Sequence, residues 1–269
     1  MDNNISVERK KYLKNKKNQK IFILSCQIFS LIIFILIWEL LANAGVIDSF
    51  ITSQPSRILS TLLNAPSNNL FYHLGITCIE TIAGFLLGTI LGTIIACILW
   101  WSDLICKIAD PYLVVLNSLP KVALGPVIIV WVGAGTPAII TMALAISLVV
   151  TILEMLNGFK STDSNIIKMA KTFNASKWQI FSKIVLPSNI SALINALKVN
   201  IGLSLVGVIS GEFLVSKAGL GYLIVYGGQV FKLDLVMTSV IVLGIVAALL
   251  YQAVLILEKI IFKFIMHKS

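Results

Sequence analysis

Charged and metal-binding side chains are scarce in this sequence. Only 12% of its 269 residues are charged, against about 25% in soluble domains. The two histidines, His73 and His267, lie before an apolar segment and at the C-terminal end, so they cannot assemble a zinc site. The four cysteines show no C-x-x-C spacing, which favours small buried hydrophobes over a disulfide framework. These shortages argue against a soluble domain, a zinc site and a disulfide scaffold.

Long apolar runs are what the sequence has in abundance. Hydrophobic residues make up 58% of the chain, and a membrane-spanning helix needs roughly 20 residues of this kind in a row. Backbone polar groups cannot stay unpaired in lipid, and the alternating pattern of a barrel is absent, so each run is predicted to be a helix. We predict an all-α integral membrane protein with six transmembrane helices, over residues 21–41, 74–100, 111–132, 138–156, 190–214 and 235–262.

The first run has a second interpretation, a secretory signal peptide. A cationic segment precedes it, and the Ala-Asn-Ala at residues 42–44 resembles a cleavage site. The apolar stretch is nevertheless longer than the 7–15 residues of a signal core. An uncleaved transmembrane helix is therefore favoured.

The distribution of lysine and arginine predicts the orientation, because cytoplasmic segments carry an excess of both. Cations are dense before residue 21, between residues 160 and 183, and after residue 258. The segments on the other side hold only Arg57, Lys217 and Lys232. Both termini are therefore predicted to be cytoplasmic, in a multi-pass protein of the bacterial cell membrane. The chain has a net charge of +9. With this topology its cationic segments face the anionic cytoplasmic leaflet, so the charge does not indicate binding of nucleic acid.

This topology divides the chain into three parts. Residues 1–69 hold the basic N-terminus, the first helix and an external loop. Residues 70–262 form the membrane core, with a cytoplasmic loop at residues 158–187, and residues 263–269 form a cytoplasmic tail.

The second predicted helix carries a face of glycines. Gly84, Gly88 and Gly92 recur at i+4 spacing, which aligns them along one side of a helix. Small residues at this spacing let helix backbones approach closely in lipid. We expect these glycines to be a packing face.

Polar residues inside the apolar runs are candidates for the translocation pathway. Pro120 interrupts the third run and is flanked by Ser118 and Lys121, and interrupted helices at membrane depth usually line a cavity or contact protein. Lys121 could instead extend its charge to the interface. Glu212 is a further candidate, with an interfacial carboxylate near Lys217 as the alternative.

Two less regular segments remain between the runs. Residues 216–234 contain too many glycines for a span and predict a short helix at or in the outer interface. Residues 158–187 alternate lysines with apolar residues. Ile166, Ile167, Ala170 and Phe173 recur at helical spacing.

The second half of this loop predicts another helix after a turn. Asn174 tolerates the left-handed conformation that ends helices, and Ser176 with Gln179 fits a capping box that starts one. Its apolar face is predicted to consist of Ile180, Phe181, Ile184 and Val185. Such a helix-turn-helix could lie on the lipid surface, but an apolar face projecting into the cytoplasm favours docking in a partner's groove.

The loop resembles the EAA loop of ABC importer permeases, E-A-A-x3-G-x9-I-x-L-P. Its end matches at Ile184-x-Leu186-Pro187, with Ala170 at the third position and Asn174 at the glycine. Lys168 and Met169 replace the glutamate and the first alanine. "SLPKVALGPVIIVWVGAG" and "GEFLVSKAGLGYLI" are similar to segments of the nitrate, sulfonate and taurine branch, although Glu80 stands where relatives often carry arginine.

The resemblance implies a type I ABC importer permease fold over residues 70–262. It implies a homodimer that takes two ABC ATPase subunits at its cytoplasmic face and an extracytoplasmic solute-binding protein, and that imports a sulfonate-, nitrate- or taurine-like anion or a related small molecule. In that family the loop forms coupling helices that dock on the ATPase. The coupling residues implied here are Lys168, Met169, Ala170, Phe173, Asn174, Ala175, Trp178, Phe181, Ile184, Leu186 and Pro187.

The resemblance also places the nucleotide chemistry in a partner. The sequence has no G-x-x-x-x-G-K-[ST] phosphate loop, so ATP and Mg²⁺ are expected on the ATPase and no cofactor on this chain, which is not itself an enzyme. We expect Phe181→Asp and Pro187→Leu to leave insertion intact while uncoupling ATP hydrolysis from uptake.

Two other functions stay open from the residues alone. A secondary transporter driven by an ion gradient typically has internal repeats and buried acidic groups at mid-membrane. No convincing repeat is present, and the four glutamates of the apolar runs fall toward their ends: Glu39, Glu80, Glu154 and Glu212. A membrane scaffold that uses the loop to recruit another protein is the second alternative.

Overall fold

The computed structural model describes residues 7–64 and 69–266, and all regular secondary structure within them is helical. The prediction of an all-α protein is confirmed. His267 and the end of the predicted tail, residues 267–269, lie outside the described residues, whereas residues 263–266 continue the last helix. In chain order the helices are α1 (Val7–Asn43), α2 (Ser49–Thr52), α3 (Pro55–Leu63), α4 (Leu70–Trp101), α5 (Asp103–Ser118), α6 (Gly125–Val132), α7 (Thr136–Lys160), α8 (Ser164–Thr172), α9 (Lys177–Ile180), α10 (Leu186–Ser188), α11 (Ile190–Val215), α12 (Leu220–Gln229) and α13 (Leu233–Met266).

Five of these helices are long and apolar enough to cross a membrane: α1, α4, α7, α11 and α13. They contain five of the six predicted runs. The short helix predicted between the last two runs is α12, ten residues long.

The third predicted run, residues 111–132, is not one helix. α5 begins earlier, at Asp103, carries Pro111 within it and ends at Ser118, and α6 follows after a 3₁₀ turn over Lys121–Leu124. The two parts are bent by 89°. Pro120 causes the break, because proline has no N–H to continue the helix and forces the preceding residue out of the helical conformation.

Helices α1 to α3 belong to the first of two compact units. The carboxylate of Glu39 in α1 accepts hydrogen bonds from the backbone N–H of Ser56 (3.1 Å) and from its hydroxyl (2.9 Å). Ser56 lies in the first turn of α3, so Glu39 satisfies an N–H group that the start of a helix leaves free. Asp48 likewise caps the start of α2, because its carboxylate accepts a hydrogen bond from the N–H of Phe50 at 2.8 Å.

The second unit is built around α4, α7 and α11. The three glycines of α4 face α7 so closely that a Cβ atom added at Gly88 would lie 2.1 Å from the Ser147 Oγ. Added Cβ atoms at Gly84 and Gly92 would lie 2.6 and 2.7 Å from side-chain atoms of α7. The two helices therefore approach each other along the glycine face, as small residues at this spacing allow.

Polar contacts also join α11 to its neighbours. The Asn200 amide donates to the Thr89 hydroxyl of α4 at 2.6 Å. The Lys198 ammonium lies 2.8 Å from the Glu258 carboxylate of α13. Side chains of this kind link helices in an apolar surrounding.

Candidate functional site

A helix-turn-helix between α7 and α11 forms the candidate functional site. Asp163 caps α8 by accepting from the N–H of Asn165 at 2.8 Å. Asn174 has the left-handed φ of 56° that the turn requires. Ser176 and Gln179 form both bonds of the predicted capping box, at 3.3 and 2.8 Å, and so start α9. The predicted helix-turn-helix is confirmed.

The second helix of the motif changes from an α-helix to a π-helix before Pro187. Residues Phe181–Val185 form a π-helical turn in which the N–H of Leu186 donates to the carbonyl oxygen of Phe181. Pro187 follows, without an N–H to donate. The Asn189 amide then donates to the Thr162 hydroxyl at 2.7 Å, which ties the end of the motif to its beginning.

The inner face of the motif packs against the ends of the long helices. Phe181 is only 6% exposed, and its ring centroid lies 4.9 Å from that of Trp100 in α4 and 5.5 Å from that of Phe159 in α7. Ile180 and Val185 are buried in the same cluster. The expectation that this apolar face meets a partner is wrong, because the membrane core of the same chain already covers it.

The outer face of the motif carries a different set of apolar side chains. Phe173 is 79% exposed and Met169 is 56% exposed, and Ile166 lies one turn before them on α8. We call these three residues the exposed stripe. The predicted face of α8 is therefore divided, because Ala170 is buried and Ile167 packs inward.

The remaining coupling candidates occupy several positions around the motif. Lys168, Trp178, Leu186 and Pro187 are exposed, whereas Ala175 and Ile184 are half-buried. The Lys177 ammonium donates to the carbonyl oxygen of Trp101 at 2.5 Å, where α4 ends. Sequence analysis did not identify Lys177, or the Trp100–Trp101 pair, although two adjacent tryptophans at the end of an apolar run are typical of a membrane interface.

Glu212 lies in a second polar site, where α12 begins. It is 1% exposed, and its two carboxylate oxygens accept from the Thr77 hydroxyl at 2.7 Å and from the N–H of Gly221 at 2.5 Å. The Thr77 oxygen accepts in turn from the N–H of Leu220 at 2.8 Å. We call this arrangement the α12 anchor, because it satisfies N–H groups at the start of α12 and binds them to α4 and α11.

Three further residues complete the α12 anchor. His73 Nδ1 accepts from the N–H of Gly219 at 3.0 Å. Gly219 has a φ of 112°, and a Cβ added there would lie 2.3 Å from the Glu212 carboxylate, so only glycine fits. Glu80 is buried, and its carboxyl also contacts that of Glu212.

The other pathway candidates lie at the bend between α5 and α6. Ser118 and Pro120 are exposed there. The Lys121 ammonium donates to the carbonyl oxygen of Asn117 at 3.0 Å, at the end of α5. Glu212 is not part of this group, since its partners belong to α4 and α12. Within residues 7–64 and 69–266, no cluster of three or more His, Cys, Asp or Glu side chains could hold a metal ion.

These features define a multi-pass, all-helical membrane protein with a helix-turn-helix between α7 and α11. The family model of the binding-protein-dependent transport system inner membrane component matches residues 84–267. The chain belongs to this family, and it is thus an ABC importer permease.

Curated relatives are similar over most of the chain. A protein of Haemophilus influenzae named "Probable ABC transporter permease protein" is 27% identical over 222 residues, which is 82% of this chain and 90% of the relative. The taurine transport system permease protein TauC of Escherichia coli is 23% identical over 228 residues, 82% of each chain.

A solved structure shows the same fold at low identity. It is a crystal structure of a bacterial ABC transporter involved in the import of the acidic polysaccharide alginate. The match has a TM-score of 0.63 and 14% identity, and covers 91% of this chain and 97% of the other. The sequence-based resemblance to ABC importer permeases is confirmed.

Proposed function

We propose that this chain is the membrane-spanning subunit of an importer whose ATPase is a separate polypeptide. In this proposal the chain is not an enzyme, and the partner ATPase binds ATP and Mg²⁺. The chain moves a sulfonate-, nitrate- or taurine-like anion, or a related small molecule, across the bacterial cytoplasmic membrane. A homodimer of the chain assembles with two ATPase subunits and receives solute from an extracytoplasmic binding protein.

The exposed stripe is the observation that carries this proposal. Ile166, Met169 and Phe173 follow the i, i+3, i+7 spacing that places side chains along one side of a helix. A row of large apolar side chains outside the membrane core marks an interaction site. Insertion of such a row into a groove is an established mode of helix recognition.

The inner face of the motif supports a coupling role for the docked stripe. Phe181 packs between Trp100 and Phe159, and Lys177 is bonded to Trp101. Packed interiors transmit displacement instead of absorbing it, so movement of the stripe reaches the ends of α4 and α7. Docking shifts the balance between inward and outward access only if the ATPase binds the two states with different free energies.

We propose that the solute pathway passes the bend between α5 and α6. Irregular backbone at membrane depth is tolerated where it lines a cavity or contacts protein. Pro120 interrupts the helix there, and Ser118 and Lys121 supply polar side chains. A cationic Lys121 suits an anionic solute, and the similarity to a taurine permease supports that class. Glu212 is assigned to holding α12, because its carboxylate oxygens are already bonded within the chain.

The test is solute uptake by the complex purified from native membranes with this chain as the tagged subunit. The complex is reconstituted in vesicles with its binding protein, and uptake of radiolabelled taurine, an alkanesulfonate and nitrate is measured. We expect accumulation of at least one of these solutes with ATP and none with a proton or sodium gradient alone. Uptake driven by the gradient alone would establish the secondary transporter instead, and a complex without an ATPase would support the scaffold.

A further inference from the structure

A cavity of about 350 Å³ lies between the helix-turn-helix and the ends of α4 and α7. Its charged lining consists of Lys160, Lys171, Lys177 and Asp103, and the rest of its wall is largely apolar. The three lysines come from separate helices, α7, α8 and α9. We call this cavity the lysine pocket.

Two of these lysines have no partner among the described residues. No hydrogen bond or ion pair of Lys160 or Lys171 occurs in the part of the chain that the structure describes. Each lies in the last turn of its helix, where a cation is favoured by the helix dipole. The helix dipole explains why a lysine is found at the end of each of these helices. It does not explain why three lysines line one cavity. With Asp103 the formal charge of the lining is +2, so the pocket suits an anion.

A second, apolar cavity lies next to the lysine pocket in the fold. Trp100 lines the pocket, and the next residue, Trp101, lines a groove of about 360 Å³. The rest of this groove is formed mainly by Ile98, Ile105, Trp178 and Phe181, with Ser102 as its polar member. An aromatic and aliphatic groove of this kind suits a hydrocarbon chain.

We propose that the two cavities together bind one anionic phospholipid of the cytoplasmic leaflet. The phosphate group lies near Lys160 and Lys171, and an acyl chain occupies the groove beside Trp101 and Trp178. Basic pockets between helices on the cytoplasmic side bind anionic lipid headgroups, and tryptophans are enriched at this depth. A soluble anion would use the lysines but not the groove.

The ATPase is a less suitable occupant of these cavities than a lipid. The residues of the exposed stripe line neither cavity, so the two surfaces are formed by different side chains. The lipid site and the docking surface share the helix-turn-helix, and the lipid therefore supports the inner side of the element whose outer side meets the ATPase. Binding of lipid by the chain does not require transport, so the two proposals fail separately.

The test is quenching of tryptophan fluorescence by brominated lipids in vesicles that contain the full-length chain. Replacement of Trp38 and Trp131 by Phe leaves the three tryptophans of the two cavities as the only tryptophans of the chain. The relative binding of brominated phosphatidylglycerol and brominated phosphatidylcholine is then compared. The variant K160Q/K171Q removes the two unpartnered charges, and K259Q/K263Q removes two lysines of α13 that line neither cavity.

We expect phosphatidylglycerol to be preferred at least threefold by the parent chain and by K259Q/K263Q, and the preference to disappear in K160Q/K171Q. Equal binding of the two lipids by the parent, or a preference that survives K160Q/K171Q, would overturn the proposal. Loss of the preference in excess inorganic phosphate would assign the pocket to a soluble anion. Weaker ATPase binding by K160Q/K171Q at unchanged lipid preference would assign it to the ATPase.

Discussion

The helix-turn-helix and the α12 anchor use polar and apolar side chains in opposite ways. In the predicted cytoplasmic loop, the helix-turn-helix buries the ring of Phe181 and exposes that of Phe173. At the other end of α11, inside an apolar surrounding, the α12 anchor buries a carboxylate among hydrogen-bond donors. In each region one side chain that sequence analysis selected as a functional candidate, Phe181 or Glu212, is buried and packs or bonds within the chain. In the helix-turn-helix, Phe173, which was also a candidate, stays exposed.

The largest expected effect comes from placing a charge on the inner face of the helix-turn-helix. Phe181→Asp removes a buried ring and buries a carboxylate, which should cost about 3–5 kcal/mol of the free energy of unfolding. Phe173→Asp makes the same chemical change on the exposed side and should stay within about 0.5 kcal/mol. Equilibrium unfolding of the purified chain in mixed SDS micelles measures both. Similar losses in the two variants would show that the two faces do not differ.

From the sequence, Phe181→Asp is expected to uncouple ATP hydrolysis from uptake. The burial of Phe181 changes how a loss of uptake in this variant is interpreted. A variant that disrupts the core cannot report on coupling alone, because destabilisation lowers uptake by itself. Phe173 is the position at which docking can be changed without loss of the fold.

The α12 anchor is tested next by adding one methyl group. Gly219→Ala places a Cβ atom against the Glu212 carboxylate in a left-handed backbone conformation, and such strain costs about 1–3 kcal/mol. Gly228→Ala is the control, because Gly228 lies in α12, the helix that Gly219 precedes, and nothing lies within 4 Å of its added Cβ. Unfolding in mixed micelles should show a loss for Gly219→Ala only. An equal loss at both positions would contradict the close contact with Glu212.

A smaller effect is expected from Thr77→Val, which keeps the shape of the side chain. It removes one hydrogen bond to Glu212 and one from Leu220, and leaves buried polar groups unpaired at a cost of about 1–3 kcal/mol. Thr141→Val is the matched control, since its hydroxyl donates to the carbonyl oxygen of Pro137 one turn away. Equal stability of the two variants would show that the anchor contributes nothing.

The smallest effect is expected at the capping box of α9. Ser176→Ala removes the acceptor for the N–H of Gln179, which costs about 1 kcal/mol at a helix start. Ser182→Ala serves as its control, because that hydroxyl donates to the carbonyl oxygen of Trp178 one turn earlier and does not accept from an N–H group at the helix start. Hydrogen exchange of the α9 amides should increase for Ser176→Ala alone. Unchanged exchange would show that the cap does not hold the second helix.

Local features of this chain were predictable from the sequence, because they depend on residues a few positions apart. The capping box, the left-handed Asn174 and the break at Pro120 are of this kind. The division of α8 into two faces was not predictable, because Ile166, Ile167, Met169 and Ala170 give it apolar residues on both sides. The partner of Glu212 was not predictable either, because Thr77 is 135 positions away.

The central claim, that the exposed stripe docks on an ATPase, is tested most directly by binding affinity. The chain in lipid nanodiscs is titrated with the ATPase subunit that co-purifies with it. M169D/F173D should weaken binding at least tenfold, about 1.4 kcal/mol. Phe231→Asp should leave the affinity unchanged, because Phe231 is also largely exposed but lies between α12 and α13. An affinity of M169D/F173D equal to that of the unmodified chain would contradict the claim.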